Sequence, residues 1–256
     1  MTGRVGFLIV GAQKAGTTAL HRYISHHPQL FLPANKELHF FDDETLKWSK
    51  HDICTGEEMD SYRNYHLHFR HASHQQIWGE ATPIYMYWWP SIERIWSYNP
   101  AIKLVIVLRN PITRAYSHWN MERRRQAEQL DFQQAIEQEQ ERCRTALPLQ
   151  HRVYSYLDRG YYSSQLRRIW RFFPPQQTLV LKHEQLLHEP AETLARVFQY
   201  LGVGAMAFKG QEQHHASRYD ETMPDKTRQW LQTHFEPEIR QLEQLLNWNC
   251  SDWIGV

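Results

Sequence analysis

Apolar positions along the chain come in two kinds of run. Short unbroken stretches occur at Val5–Val10 (VGFLIV), at Ile102–Leu108 with KLVIVL at its heart, and at Thr178–Lys182 (TLVLK). Brief continuous apolar runs bounded by turn residues fit strands buried on both faces. Ile77–Glu80 is a weaker strand candidate. Between these runs the period lengthens to that of a helix over Thr17–His26, Pro90–Tyr98, Tyr161–Phe172 and Pro190–Leu201. Asn110 with Pro111 behind it is a strong helix start, and that helix is expected to run through Arg125. Pro174-Pro175 stops one helix and Gly202 closes another. Asp131–Arg144 reads as one charged, Gln-rich helix with a solvated face. Asp225–Leu246 reads as a last helix interrupted at Pro237. Residues 47–73 suggest short helices and 206–223 an irregular stretch. Strands alternating with helices predict the α/β class, with a parallel sheet flanked by helices on both faces. With no repeat, low-complexity tract or linker, one domain over 1–256 is expected.

Composition narrows this picture. Of 256 residues 41% are hydrophobic and 22% charged, which excludes a disordered chain. A net charge of +1 gives no global attraction to nucleic acid or an anionic membrane, so any anion site must be local. Cys54, Cys143 and Cys250 are odd in number and far apart, unlike a disulfide framework, and point to a reducing, cytoplasmic setting. The His residues carry no metal-ligand spacing, so no metal is expected. No stretch has the length of a transmembrane span or of a signal peptide, so stable membrane insertion is not expected. The aromatic segment Tyr85–Trp89 (YMYWW) suits core packing, or a sugar-stacking wall.

The chemistry begins after the first strand. GAQKAGTT (Gly11–Thr18) joins a strand to a helix, the place where α/β proteins gather backbone N–H groups around phosphate. Gly11 and Gly16 have the spacing of a P-loop, G-x-x-x-x-G-K-[ST]. Thr17, however, stands in the Lys slot, and Lys14 lies upstream. The strand that would supply a magnesium-binding Asp ends in Leu108-Arg109 instead. The loop therefore suits a phosphate or phosphosulfate held without metal. A second anion motif follows the clearest strand, at LRNPITRAYSHW (Leu108–Trp119). Arg109 sits where α/β folds place ligand contacts, and Ser117 lies about two helical turns further on. A guanidinium fork and a hydroxyl make a phosphate clamp. Arg123-Arg124-Arg125 with Arg114 either draw in an acidic acceptor or form a solvated face.

QKAGTTAL and LRNPITRAYSHW together resemble the 5'-phosphosulfate loop and the 3'-phosphate motif of the PAPS (3'-phosphoadenosine-5'-phosphosulfate)-dependent sulfotransferases. The likeness is to the branch holding the heparan sulfate N- and 3-O-sulfotransferase domains and related bacterial enzymes. NKELHFFDDE (Asn35–Glu44), GEATPIY (Gly79–Tyr85), LDRGYYSSQLRRIWRFFP (Leu157–Pro174) and LVLKHEQLLHEPAETLARVFQYLGV (Leu179–Val203) extend it in family order. The resemblance implies a P-loop-like fold, PAPS as donor and PAP as product. It implies that Lys14 neutralises charge on the bridging phosphosulfate oxygen. Ala15, Gly16, Thr17 and Thr18 would cradle the 5'-phosphate, and Arg109 and Ser117 would hold the 3'-phosphate. Arg218, in HHASRYD (His214–Asp220), is carried over as a further 3'-phosphate contact, with His215 and Ser217 as other candidates.

A hydroxyl acceptor must lose a proton as it attacks sulfur, and a positioned carboxylate supplies the base. The resemblance assigns this to Glu37. His39 is the alternative, because the two would point to the same side of an extended segment. Lys36 reads as a solvent-facing side chain. The chain departs from the sugar 3-O-sulfotransferases at Ala81, where they have a Lys, and in lacking the Lys and cysteine pair of their last phosphate-binding loop. Ala81 removes one active-site cation and argues against an anionic heparan-like acceptor; a carbohydrate or glycolipid is favoured, with a small-molecule alcohol and a carrier-bound intermediate also open. A P-loop kinase or NTPase is the alternative reading, as is a non-catalytic nucleotide-binding protein.

Overall fold

The computed structural model of the chain describes residues 3–46, 48, 60–208 and 222–255. In chain order the strands are β1 (Phe7–Gly11), β2 (Leu30–Phe31), β3 (Ile77–Ala81), β4 (Lys103–Leu108) and β5 (Thr178–Lys182). The helices are α1 (Thr17–Ile24), α2 (Asp60–His66), α3 (Trp89–Tyr98), α4 (Pro111–Arg124), α5 (Phe132–Glu137), α6 (Glu139–Arg144), α7 (Tyr162–Ile169), α8 (His183–His188), α9 (Pro190–Leu201), α10 (Asp225–Leu246) and α11 (Ser251–Ile254). The described residues form two compact units, one from 1–108 with 169–210 and one from 109–168 with 211–256.

The first unit holds a five-stranded sheet in the order β2-β3-β1-β4-β5, with every pairing parallel. Its centre follows from the apolar runs: β1 is buried at all five positions and β4 at its last five. Strands with both faces covered lose no alternating polar positions to solvent, which is why these read as unbroken runs. Near its end β1 slips register against β4, Ile9 facing Val105 and Gly11 facing Ile106. A bulge of this kind re-aims the chain at the point where the candidate phosphate loop leaves the sheet. Gly11 allows it because a Cβ there would lie 2.6 Å from Met86.

In the second unit, Asn110 caps α4 by accepting from the Ile112 amide at 2.9 Å, with Pro111 as the first helical residue. Its side-chain amide also donates to the Trp253 carbonyl at 3.1 Å. Two expectations need correction here. The helix expected over Asp131–Arg144 is two helices, broken at Gln138, and it is not merely a solvated face. Glu139 turns inward and accepts from the amides of Leu157 and Asp158 at 2.7 and 2.8 Å. Helix α10 in turn runs unbroken through Pro237, because buried Leu231 and Phe235 before it and Ile239 and Leu242 after it are packed. Tertiary packing outweighs the lost backbone bond. Among the described residues no helix is long and apolar enough to cross a membrane.

Candidate functional site

Backbone hydrogen bonds anchor the loop after β1 and its join to α1. Ala12 donates to Val107 O at 2.7 Å, Ala15 donates to Ala12 O at 3.1 Å, and Leu20 makes the first α1 bond, to Gly16 O. The N–H groups of the first turn, from Thr17 onward, therefore point out of the helix end. Gly16 is the N-cap in the left-handed region (φ 94°, ψ 10°), contributes no side-chain cap, and no acidic residue occupies the first turn. Positive dipole end, outward amides and absence of a competing carboxylate fit an anion such as the phosphosulfate. Gly16 cannot be replaced freely: a Cβ there would fall 2.7 Å from His183 Nδ1, at the start of α8. Lys14 lies in the loop at φ 69°, Ala15 and Thr17 are buried, and Thr18 is exposed.

The segment carrying Glu37 and His39 is not extended. Both residues have positive φ, 65° and 55°. They nevertheless meet: His39 Nε2 lies 3.8 Å from Glu37 Oε2. Behind His39 stands a residue the sequence reading missed. Asp42, 1% exposed, lies 3.1 Å from His39 Nδ1 through both carboxylate oxygens. The order Asp42, His39, Glu37 is a carboxylate–imidazole–carboxylate chain, in which Asp42 orients the ring. Only a tight turn brings positions 39 and 42 together, and no periodic pattern marks it. Lys36 is not solvent-facing: its side chain is 16% exposed and its Nζ is 2.5 Å from Glu37 Oε1.

Strand β3 fixes this loop. The Glu37 amide donates to Ala81 O at 3.0 Å. Phe41 donates to Tyr85 Oη at 3.3 Å, and Tyr85 donates to Glu80 at 2.8 Å. Glu80 is buried and also accepts from Tyr65 and Thr82, both at 2.5 Å. Burial raises its pKa, opposed by those three hydroxyls and reinforced by the charge of Asp42. Tyr85, Met86, Tyr87 and Trp88 are core residues, while Trp89 is 58% exposed.

Arg109 and Ser117 belong to the second unit, at the start of α4 and within it. Arg109 Nε donates to Thr113 Oγ1 at 3.0 Å, and its carbonyl accepts from Tyr162 Oη at 2.9 Å. Thr113 is a second hydroxyl the sequence reading passed over. Thr113 and Ser117 fall four residues apart on one side of α4, and Arg109, just before the helix, reaches Thr113. Ser117 is buried, at 4% exposed. Arg114 is wholly buried and donates to the Tyr156 carbonyl, so it is not part of a basic surface. Arg218, His215 and Ser217 lie outside the described residues. A cavity of about 480 Å³ in this unit is lined by Tyr116, Trp119, Phe132 and Glu137, among others, and by none of the predicted site residues.

Comparison with known proteins identifies the class. The sulfotransferase domain family matches residues 6–232, and the chain belongs to that family. Human heparan sulfate glucosamine 3-O-sulfotransferase 5 is 28% identical over 207 residues, covering 77% of this chain and 53% of its own length. The human bifunctional heparan sulfate N-deacetylase/N-sulfotransferase 3 is 27% identical over 200 residues, covering 77% of the chain and 22% of its own length. The chain thus spans about half the length, or less, of these curated relatives. A solved sulfotransferase from Alicyclobacillus acidocaldarius superposes with a TM-score of 0.80 at 28% identity, covering 98% of this chain and 99% of that one.

Proposed function

We propose that the chain transfers a sulfuryl group from PAPS to a hydroxyl or amino acceptor, a carbohydrate being favoured. The observation that carries this reading is the pairing, within one unit, of an uncapped, acid-free helix start behind Gly16 with the Asp42–His39–Glu37 chain. Ala15, Gly16, Thr17 and Thr18 hold the 5'-phosphate end through backbone N–H groups, and Lys14 neutralises charge on the bridging oxygen as it leaves. Arg109 and Ser117, with Arg218, are assigned to the 3'-phosphate by family resemblance. Glu37 accepts the acceptor's proton as the new oxygen–sulfur bond forms and the bond from sulfur to the 5'-phosphate breaks. His39, oriented by Asp42, stands beside the Glu37 carboxylate, and Glu37 releases the proton to solvent. Metal is not required, since Lys14, Arg109 and the amides carry the charge.

The acceptor class is supported by the relatives, among them heparan sulfate glucosamine 3-O-sulfotransferase 5. A single functional domain over 1–256 and a cytoplasmic setting belong to the same reading, the second supported by the odd number and wide spacing of Cys54, Cys143 and Cys250. A P-loop kinase fits less well, because Thr17 occupies the Lys slot. Thermal shift separates the two, since a ligand that binds the native state raises its stability. PAP without magnesium is expected to raise Tm; a rise with Mg-ATP and none with PAP contradicts the proposal.

A further inference from the structure

The geometry points to Lys36 as a positioning residue for Glu37, an inference that rests on the transfer reading above. Neighbouring side chains of an extended segment project to opposite sides. Here the left-handed conformation of Glu37 breaks that alternation and turns its carboxylate onto the ammonium of the preceding residue, Oε1 to Nζ at 2.5 Å. The two carboxylate oxygens thereby become unequal. Oε1 is held in a charge-assisted contact, while Oε2 faces His39 Nε2 at 3.8 Å, wide of hydrogen-bond distance.

Stability does not account for this arrangement. The pair is partly exposed, 16% on Lys36 and 34% on Glu37, and such pairs contribute little. A non-glycine residue at positive φ costs more than that contribution and persists where the surroundings impose it. Here the imposing contact is the Glu37 amide bond to Ala81 O. Lys36 also stands near α1: after burial, its charge is the second cause that lowers the pKa of His21. The ammonium therefore reaches from the candidate base toward the helix that opens at the phosphate loop. With Oε1 occupied, Lys36 leaves Oε2 as the oxygen that takes the acceptor's proton, and it fixes the direction in which that oxygen faces.

The test is a double-mutant cycle on PAP release from radiolabelled PAPS, in the presence of heparan sulfate and in its absence, where water is the acceptor. Lys36→Met is expected to lower the turnover rate by about tenfold or more, the scale on which misplaced groups act. KM for PAPS and the PAP-induced rise in Tm should stay as in the parent, and Lys36→Arg should restore most of the rate. In a Glu37→Gln background, Lys36→Met should have no further effect. An equal loss in both backgrounds, or a loss of PAP binding in place of turnover, overturns the positioning role. If Glu37→Gln alone turns over like the parent, the base assignment itself falls, and so does the inference. No PAP release above the uncatalysed rate in the parent removes the transfer reading.

Discussion

Gly16→Ala is the substitution whose cost the structure specifies most fully. Gly16 stands at φ 94°, a conformation open to glycine and strained for alanine. Forcing an L-residue there costs about 1–2 kcal/mol. The new methyl would also lie 2.7 Å from His183 Nδ1, 3.2 Å from its Cε1 and 3.7 Å from Leu186 Cδ2. Overpacking of that kind adds about 1–3 kcal/mol. The sum, about 2–5 kcal/mol, corresponds to a fall in Tm of roughly 5–15 °C for a chain of this size. The two contributions separate experimentally. In Gly16→Ala/His183→Ala the ring is gone, so the packing share should be recovered while the backbone share remains. Thermal unfolding followed by circular dichroism reads the stability, and the same scan with PAP reads the loop. The rise in Tm on adding PAP should vanish in both variants, because the helix start they distort is the proposed phosphate cradle. A Gly16→Ala protein with the parent Tm and the parent response to PAP would refute this reasoning.

Two further outcomes are expected. Burial pushes Glu139 up to about 7, against its bonds from the Asp158 and Leu157 amides. Its folded pKa is raised, so its contribution to stability is present below the unfolded value and is lost as pH rises from about 4.5 to about 7. Relative to Glu139→Gln, the parent should lose up to about 3 kcal/mol over that window; urea titrations showing a pH-independent difference would contradict this. Arg109→Ala should weaken PAP binding at least tenfold in calorimetry, while adenosine 5'-phosphosulfate, which lacks the 3'-phosphate, should bind parent and variant alike. Loss of both ligands would give Arg109 a different role.

The sheet was legible because its central strands are buried on both faces, which turns β1 and β4 into unbroken apolar runs. The α4 start was legible because Asn110 and Pro111 are local signals that act within two residues. β2 was not, being only Leu30–Phe31, too short to carry a period. The break at Gln138 was also hidden, because its cause is the non-local pull of the Leu157 and Asp158 amides on Glu139. The same distinction runs through the site. Gly16 and Lys14 could be read from spacing, whereas Asp42, Thr113 and the inward turn of Lys36 depend on backbone conformations that residue order does not announce. A lone lysine reads as solvent-facing, and the positive φ of Glu37 that brings Lys36 onto its carboxylate has no sign in residue order.

The central claim is sulfuryl transfer from PAPS, and transfer of radiolabel from [35S]PAPS tests it most directly. The purified chain, without added metal, is to be incubated with heparan sulfate, desulfated heparan, neutral glycans and simple alcohols. Label should move to at least one acceptor, and Glu37→Gln should lower that transfer by about 100-fold or more, as loss of a general base does. Retention of all label on PAPS across the acceptors, or transfer undiminished in Glu37→Gln, would contradict the account.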